Sequence, residues 1–572
     1  MTKTYYLRRP AIRRRTAVRR AVAIMACLAG AILIAGCDPP NPEDVLGVPG
    51  ETSESRSAKN CQDNLKNALS SLAPDRLELS ADVESTVDVL NRWLTDCGSQ
   101  EQISPEDLQQ LERLSSPAMR NNLLRRRFNQ RDANFVRNAI LCHQIVEQAT
   151  IGARNDLERT VRLFEYVVRN VVLTPDTQAL PLTLYEILLF GRGSADQQAW
   201  LFSELLRQLR LDSALLETNS ADSGQPVDWV FAAFLDEGTY LFDFHLQIPV
   251  PGDPQTGNFE IRTPVTLSQV FERPELLNSL RELGSHVPAA DALKSAEIRI
   301  LAESTHWSPR MKALNSQLVG EKFLIFDGLL DHEGGEGALS RIKTVVQKYW
   351  EQPRISVSNL PERQSREFWE IEDNSSKAQA LIVRKDPFSA PLEITTDSTT
   401  NESRAVPTQQ QWSSRLAQLQ GNFSEAVRSY GMIRLDEKKK SSAMSEQDLK
   451  NPLVQAFLRT HQSAAQDAHF WVAVSQLDLD DFEEASDTFA DYQTRFPQGR
   501  WSDALPYLWG MNEFRLGHAE KARELLESIG ETSQFQLPAR FLLKVMEQPN
   551  VENPAEQKSD TEQPKSEKTE ES

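Results

Sequence analysis

Gly191-Arg192-Gly193-Ser194-Ala195-Asp196-Gln197-Gln198-Ala199-Trp200-Leu201-Phe202-Ser203-Glu204-Leu205-Leu206-Arg207-Gln208-Leu209 is the stretch that decides the fold. Its two glycines predict a tight loop. Ser194 or Asp196 can then cap a helix N-terminus. Ala199, Phe202, Leu205, Leu206 and Leu209 recur at helical spacing, so one face of that helix is buried. Strand-like runs follow at 213–218, 228–235 and 239–244. Asp222, Ser223, Gly224 and Pro226 read as one turn between them, and Asp236, Glu237 and Gly238 as the next.

A helix followed by a meander of strands, carrying these residues, resembles the transglutaminase-like branch of the papain-like fold. The resemblance covers roughly residues 150–255. In that family a cysteine stands at the helix N-terminus, followed by an acidic residue and then Ala-x-x-Phe-x-x-Leu-Leu-Arg. Here Ala199, Phe202, Leu205, Leu206 and Arg207 keep the frame, and the frame puts Ala195 where the cysteine belongs. The family's histidine opens the second strand in a His-x-Trp-Val-like phrase. The phrase here is Asp228-Trp229-Val230, without a histidine. Asp243 matches the family's aspartate on the third strand. The resemblance implies an α+β domain, a helix-rich core with an antiparallel sheet, in which Ala195 faces Asp228 and Asp243.

That loss has a chemical consequence. The nucleophile of such an enzyme is a thiolate, stabilised by the helix N-terminus and an imidazolium. Alanine has no nucleophilic atom, and Asp228 would repel an anion. A relocated centre is the alternative. His245 stands two residues after Asp243, on the same side of a strand, so Ser194, His245 and Asp243 could form a hydroxyl-based hydrolase or acyl transferase. Against it, Ser194 is explained as a helix cap, and a serine depends on its base more than a cysteine does. Geometry decides such a triad.

The chain has 572 residues, enough for several cores, and a net charge of −19. Residues 1–36 hold eight basic residues and no acidic one, so without them the net charge is −27. Such a body repels phosphates, which argues against nucleic acid as a partner. The first segment has a basic start and an apolar run over 21–35. That is a signal-peptide pattern, too short for an ordinary membrane span. Leu33-Ile34-Ala35-Gly36-Cys37 resembles a bacterial lipobox. The resemblance implies cleavage before Cys37, acylation of its thiol, and export to a membrane-anchored place facing the periplasm or cell exterior. Two or three acyl chains give lasting anchorage where one does not.

Residues 37–60 read as an extended tether, rich in proline, serine and glutamate. Residues 61–150 are helical in pattern and contain Cys61, Cys97 and Cys142. An exported protein permits disulfides. A Cys61–Cys97 bridge between neighbouring helices and three buried reduced thiols both fit the sequence. Cys142-His143 is too little for a metal site, and no cofactor motif is present. Residues 151–290 form the transglutaminase-like domain and 291–385 a mixed α/β extension. Residues 386–410 are rich in Thr, Ser, Pro and Asn and read as a linker.

From 411 to 545 the pattern changes to paired helices. Gly421-Asn422-Phe423-Ser424-Glu425-Ala426, Asp480-Asp481-Phe482-Glu483-Glu484-Ala485 and Gly517-His518-Ala519-Glu520-Lys521-Ala522 align with one another. Each opens a helix and follows one bearing Trp412, Trp471 or Trp509. Ala485 and Ala522 are 37 residues apart, near the tetratricopeptide period of about 34. Ala426 and Ala485 are 59 apart, so an insertion is expected around 436–468. Small Ala426, Ala485 and Ala522 let helices cross closely, and stacked pairs make a concave surface for a protein or peptide partner. Residues 546–572 read as an acidic, disordered tail. The sequence therefore leaves a non-catalytic envelope lipoprotein that binds another protein, set against a hydrolase with a relocated nucleophile.

Overall fold

The computed structural model describes residues 53–76, 83–98, 103–175, 180–218, 228–252, 264–318, 322–332, 335–358, 360–361, 392–396, 403–408 and 410–547. The signal segment 1–36, Cys37 and the tail from 548 on lie outside the described residues.

Helices come first: α1 (Ser53–Ser71), α2 (Glu84–Asp96), α3 (Pro105–Leu114), α4 (Pro117–Leu123), α5 (Gln130–Ala149) and α6 (Asp156–Asn170). β1 (Val172–Leu173), α7 (Leu184–Phe190), β2 (Arg192–Gly193) and α8 (Ala195–Gln208) follow. Then come β3 (Asp212–Thr218), β4 (Asp228–Leu235), β5 (Gly238–Asp243), β6 (Ile248–Pro249), α9 (Leu267–Glu272), α10 (Glu275–Glu282) and α11 (Ala290–Leu293). β7 (Glu297–Ile300), α12 (Pro309–Asn315), α13 (Ala338–Val346) and β8 (Arg354–Val357) complete the α+β part. The chain divides after Ser57, and the larger unit begins at Ala58. α1 opens at Ser53, so the stretch 37–60 is not extended throughout.

The main sheet has six strands in the order β6-β5-β4-β3-β7-β8. It is mixed rather than antiparallel, because β7 and β8 run parallel. A parallel pair needs a crossover, and the chain carrying α12 and α13 supplies it. Both strands come from the stretch 291–385, so the core does not end at residue 290.

Strand alternation gives the sheet two different faces. Phe231 is opposite both Leu215 and Phe242, and its ring lies 4.9 Å from that of Phe202 on α8. Leu216, Val230 and Ile298 form the adjacent row and point the other way. That second face is covered by α9, α11 and α13, with α10 packed on α9. Helices thus cover both faces, which is why β4 is buried along nearly its whole length.

A second core joins α1, α2 and the start of α5 to Met311, Leu314 and Ile325. A Cys61–Cys97 disulfide ties α1 to the end of α2. The fully buried Asp132 and Arg310 pair at 2.7 Å. Arg310 also donates to the carbonyls of Asn122 and Arg125 at 2.8 and 3.0 Å. These bonds satisfy the guanidinium and compensate for its removal from water.

Residues 386–410 are not all loop: β9 (Leu392–Thr396) and β10 (Ser403–Pro407) pair antiparallel. Beyond them the described residues are helical: α14 (Gln410–Leu419), α15 (Phe423–Ala443), α16 (Pro452–Asp478), α17 (Phe482–Arg495), α18 (Leu505–Arg515), α19 (Ala519–Glu527) and α20 (Gln536–Met546). α14 packs on α15, α16 on α17, and α18 on α19. The three turns inside these pairs share one geometry. Gly421, Asp480 and Gly517 have φ of 80°, 60° and 80°. Each next residue donates its N–H five residues back: Asn422 to Ala417, Asp481 to Gln476, His518 to Glu513. This closes the preceding helix with a left-handed residue. Ala426, Ala485 and Ala522 are all fully buried. The expected insertion appears as longer helices, α15 with 21 residues and α16 with 27.

Candidate functional site

The N-terminus of α8 is built by a capping box. Ser194 Oγ accepts from Gln197 N at 3.3 Å, and Gln197 Oε1 accepts from Ser194 N at 3.0 Å. Ala195 heads the helix and is 2% exposed, while Ser194 is 4% exposed. Amides close the space around them. Gln197 Nε2 donates to Leu180 O at 2.7 Å, and Gln198 Nε2 donates to Val171 O at 2.6 Å. Gln198 and Gln247 exchange side-chain hydrogen bonds at 3.2 and 2.7 Å.

The preceding loop is covered by the C-terminal helices. Gly191 ends α7 in the left-handed region, at φ 61°. The indole of Trp471, on α16, lies against it. Arg415, fully buried on α14, stacks its guanidinium 3.7 Å from the Trp471 ring. It donates to Asn170 O at 2.7 Å and to Leu188 O at 3.1 Å. Arg169 and Asn170 both reach Asp478 of α16, at 3.2 and 3.0 Å. Burial lowers the Arg415 pKa from its ordinary value and raises that of Asp478, and each group's charge works against the other's shift.

The aspartates expected opposite Ala195 point elsewhere. Asp228 and Asp243 share the sheet face of Val230, away from Phe202 and α8. Asp228 accepts from Arg281 at 2.9 Å and stands 4.0 Å from His286 Nδ1. Asp243, 1% exposed, accepts from the backbone N–H groups of His245 and Leu246 at 2.8 and 3.1 Å and from Ser285 Oγ at 2.8 Å. Strand alternation thus puts both carboxylates on the sheet face opposite the one that α8 covers.

The three residues of the alternative centre are not joined either. The His245 ring packs on Trp229 and His286, with centroids 5.1 and 5.4 Å away. Its backbone, not its imidazole, meets Asp243. Among the described residues no serine or cysteine hydrogen-bonds that ring, and Ser194 is occupied as a cap. Cys142 is free and buried, and burial raises its thiol pKa well above the ordinary value.

Glu217 is a residue the sequence did not single out. It lies on the α8 face of β3, paired with Arg299 at 2.9 Å. Burial raises its pKa to about 7, with Glu297 and Asp196 pushing the same way and Arg299 opposing. An acidic position in a strand gave no signal, since its neighbours come from β7 and α8. Gln197 and Gln198 carry a sequence signal, two adjacent long amides in the first turn of a helix whose periodic face is apolar.

Away from α8, an open groove of about 740 Å³ runs between α5 and α14, with Trp412 and Leu416 among its lining. Among the described residues no three His, Cys, Asp or Glu side chains gather with metal-binding geometry, and no helix is long and apolar enough to cross a membrane. Comparison of the chain with family models, curated proteins and solved structures gives no match. Fold and site define a class: an α+β core with a closed helix N-terminus, followed by an all-helical region packed upon it.

Proposed function

We propose that this chain is a non-catalytic envelope lipoprotein, anchored through Cys37, in which a degenerate transglutaminase-like core carries a tetratricopeptide-like helical region that binds another protein. The observation that carries the non-catalytic reading is the sealed N-terminus of α8. Ala195 stands there without a nucleophilic atom, amides fill its surroundings, and Trp471 covers Gly191. At 2% and 4% exposure Ala195 and Ser194 leave a substrate carbonyl little surface to approach, and oxyanion chemistry needs such an approach. The matching turns at Gly421, Asp480 and Gly517 support the repeat reading. The Cys61–Cys97 disulfide fits an oxidising compartment and so supports export.

The test has two arms. Wild-type protein is assayed on amide and ester substrates beside Ser194→Ala, His245→Ala and Asp243→Ala. No turnover above background is expected, and turnover that those changes abolish would restore the hydrolase. Intact mass of the membrane fraction is expected to show an acylated chain beginning at Cys37. Soluble, unacylated wild type cut elsewhere would remove the anchor.

A further inference from the structure

The groove between α5 and α14 has a defined chemistry. Its lining is mixed, and its apolar members include Leu416, buried, and Trp412 and Ala417, half-buried. Ile151, just past α5, is 71% exposed on its rim. Asp75 and Glu425 line it as exposed carboxylates, and among the described residues neither has an ion-pair partner. Glu147 is a third carboxylate, already bound by Lys322 at 3.3 Å and His143 at 3.4 Å. Among the described residues no lysine or arginine lines the groove.

We infer that this groove binds a cationic segment of a partner protein, an extended peptide carrying Lys or Arg beside apolar side chains. The inference rests on the protein-binding reading above and names the partner's chemistry. Trp412, Leu416 and Ala417 reward burial of aliphatic or aromatic side chains. Unpaired carboxylates on the rim favour positive charge and steer its approach. Other occupants fit poorly. Nucleic acid brings phosphates to carboxylates. A second copy is disfavoured by the chain's own −19 charge. The C-terminal segment 548–572 holds more acidic than basic residues.

The test uses the full-length chain in non-ionic detergent and two fluorescent octapeptides, one alternating lysine and valine, the other glutamate and valine. Fluorescence anisotropy at low salt is expected to show binding of the lysine peptide and none of the glutamate peptide. The double variant Asp75→Lys/Glu425→Lys is expected to weaken that binding at least tenfold. Both positions are exposed, so circular dichroism should match the wild type. Ala417→Trp, which fills the groove floor, is expected to abolish binding. Equal binding of both peptides, or lysine-peptide binding unchanged in the double variant, overturns the inference. Absence of binding without any turnover overturns the groove alone. Cleavage of a bound lysine peptide by the wild type overturns the non-catalytic reading and leaves the groove standing.

Discussion

The Trp471 indole occupies the space that a side chain on Gly191 would need: a Cβ there would lie 2.1 Å from Trp471 Cη2. Residues 280 positions apart in the chain thus close the loop in front of α8. Gly191→Ala is expected to destabilise the protein by about 2–4 kcal/mol, combining left-handed backbone strain with overpacking. Trp471→Ala leaves a cavity and is expected to cost about 3–5 kcal/mol. In the double variant the clash is absent, so urea denaturation should give less than the sum. Full additivity would mean the contact is not made.

The repeated turn makes the opposite prediction at Asp480. It holds φ 60° where Gly421 and Gly517 hold 80°. Asp480→Gly relieves that strain, and a gain of about 0.5–1 kcal/mol in thermal or chemical denaturation is expected. Gly421→Ala is expected to be destabilising, since a Cβ would meet Gln148 Cβ at 2.9 Å as well as adopting positive φ. Ala485→Phe, at a fully buried position, is expected to cost about 1–3 kcal/mol.

The disulfide closes a loop over a sequence separation of 36 residues. Loop-closure entropy gives it a stabilising contribution of about 2–4 kcal/mol. Cys61→Ser/Cys97→Ser is expected to lower the denaturation midpoint, with the largest loss of hydrogen-exchange protection in α1 and α2. A midpoint identical to that of the oxidised wild type would show that the bridge is absent from the folded protein.

Glu217 sets a pH dependence. Its folded pKa, about 7, lies above the ordinary carboxyl value of 4.5. The folded state therefore binds the proton more tightly than the unfolded state. Its stabilising effect is full below about pH 4.5 and is lost as pH rises through about 7. Glu217→Gln is expected to be near neutral at pH 5 and to stabilise by about 1–3 kcal/mol at pH 8 relative to wild type. Equal effects at both values would place the carboxylate in an ordinary, solvated setting.

Much of the α8 region was legible. The cap at Ser194 and the periodicity from Ala199 to Leu209 are local facts, and the structure builds α8 from Ala195 to Gln208. The alignment of the three helix-opening segments likewise announced paired helices, while the left-handed turn they share is seen only in the structure. What failed was the frame linking Ala195 to Asp228 and Asp243. A one-residue change in phase moves a strand residue to the other face, and no local feature of Asp228 reports which face α8 will cover.

By itself, the sequence determined the elements whose causes lie within a few residues: the capped α8, the strands β3 to β5 and the paired helices after Gln410. Only the tertiary structure decided the rest. β7 and β8 join the sheet because the crossover brings them there, and Trp471 closes the Gly191 loop because α16 packs on α6 while α14 packs on α7. Hydrogen bonds within a helix and side-chain alternation are short-range and leave periodic marks in the chain. Closure of the α8 terminus depends on which distant surfaces bury each other best, and burial is non-directional and carries no address in the sequence.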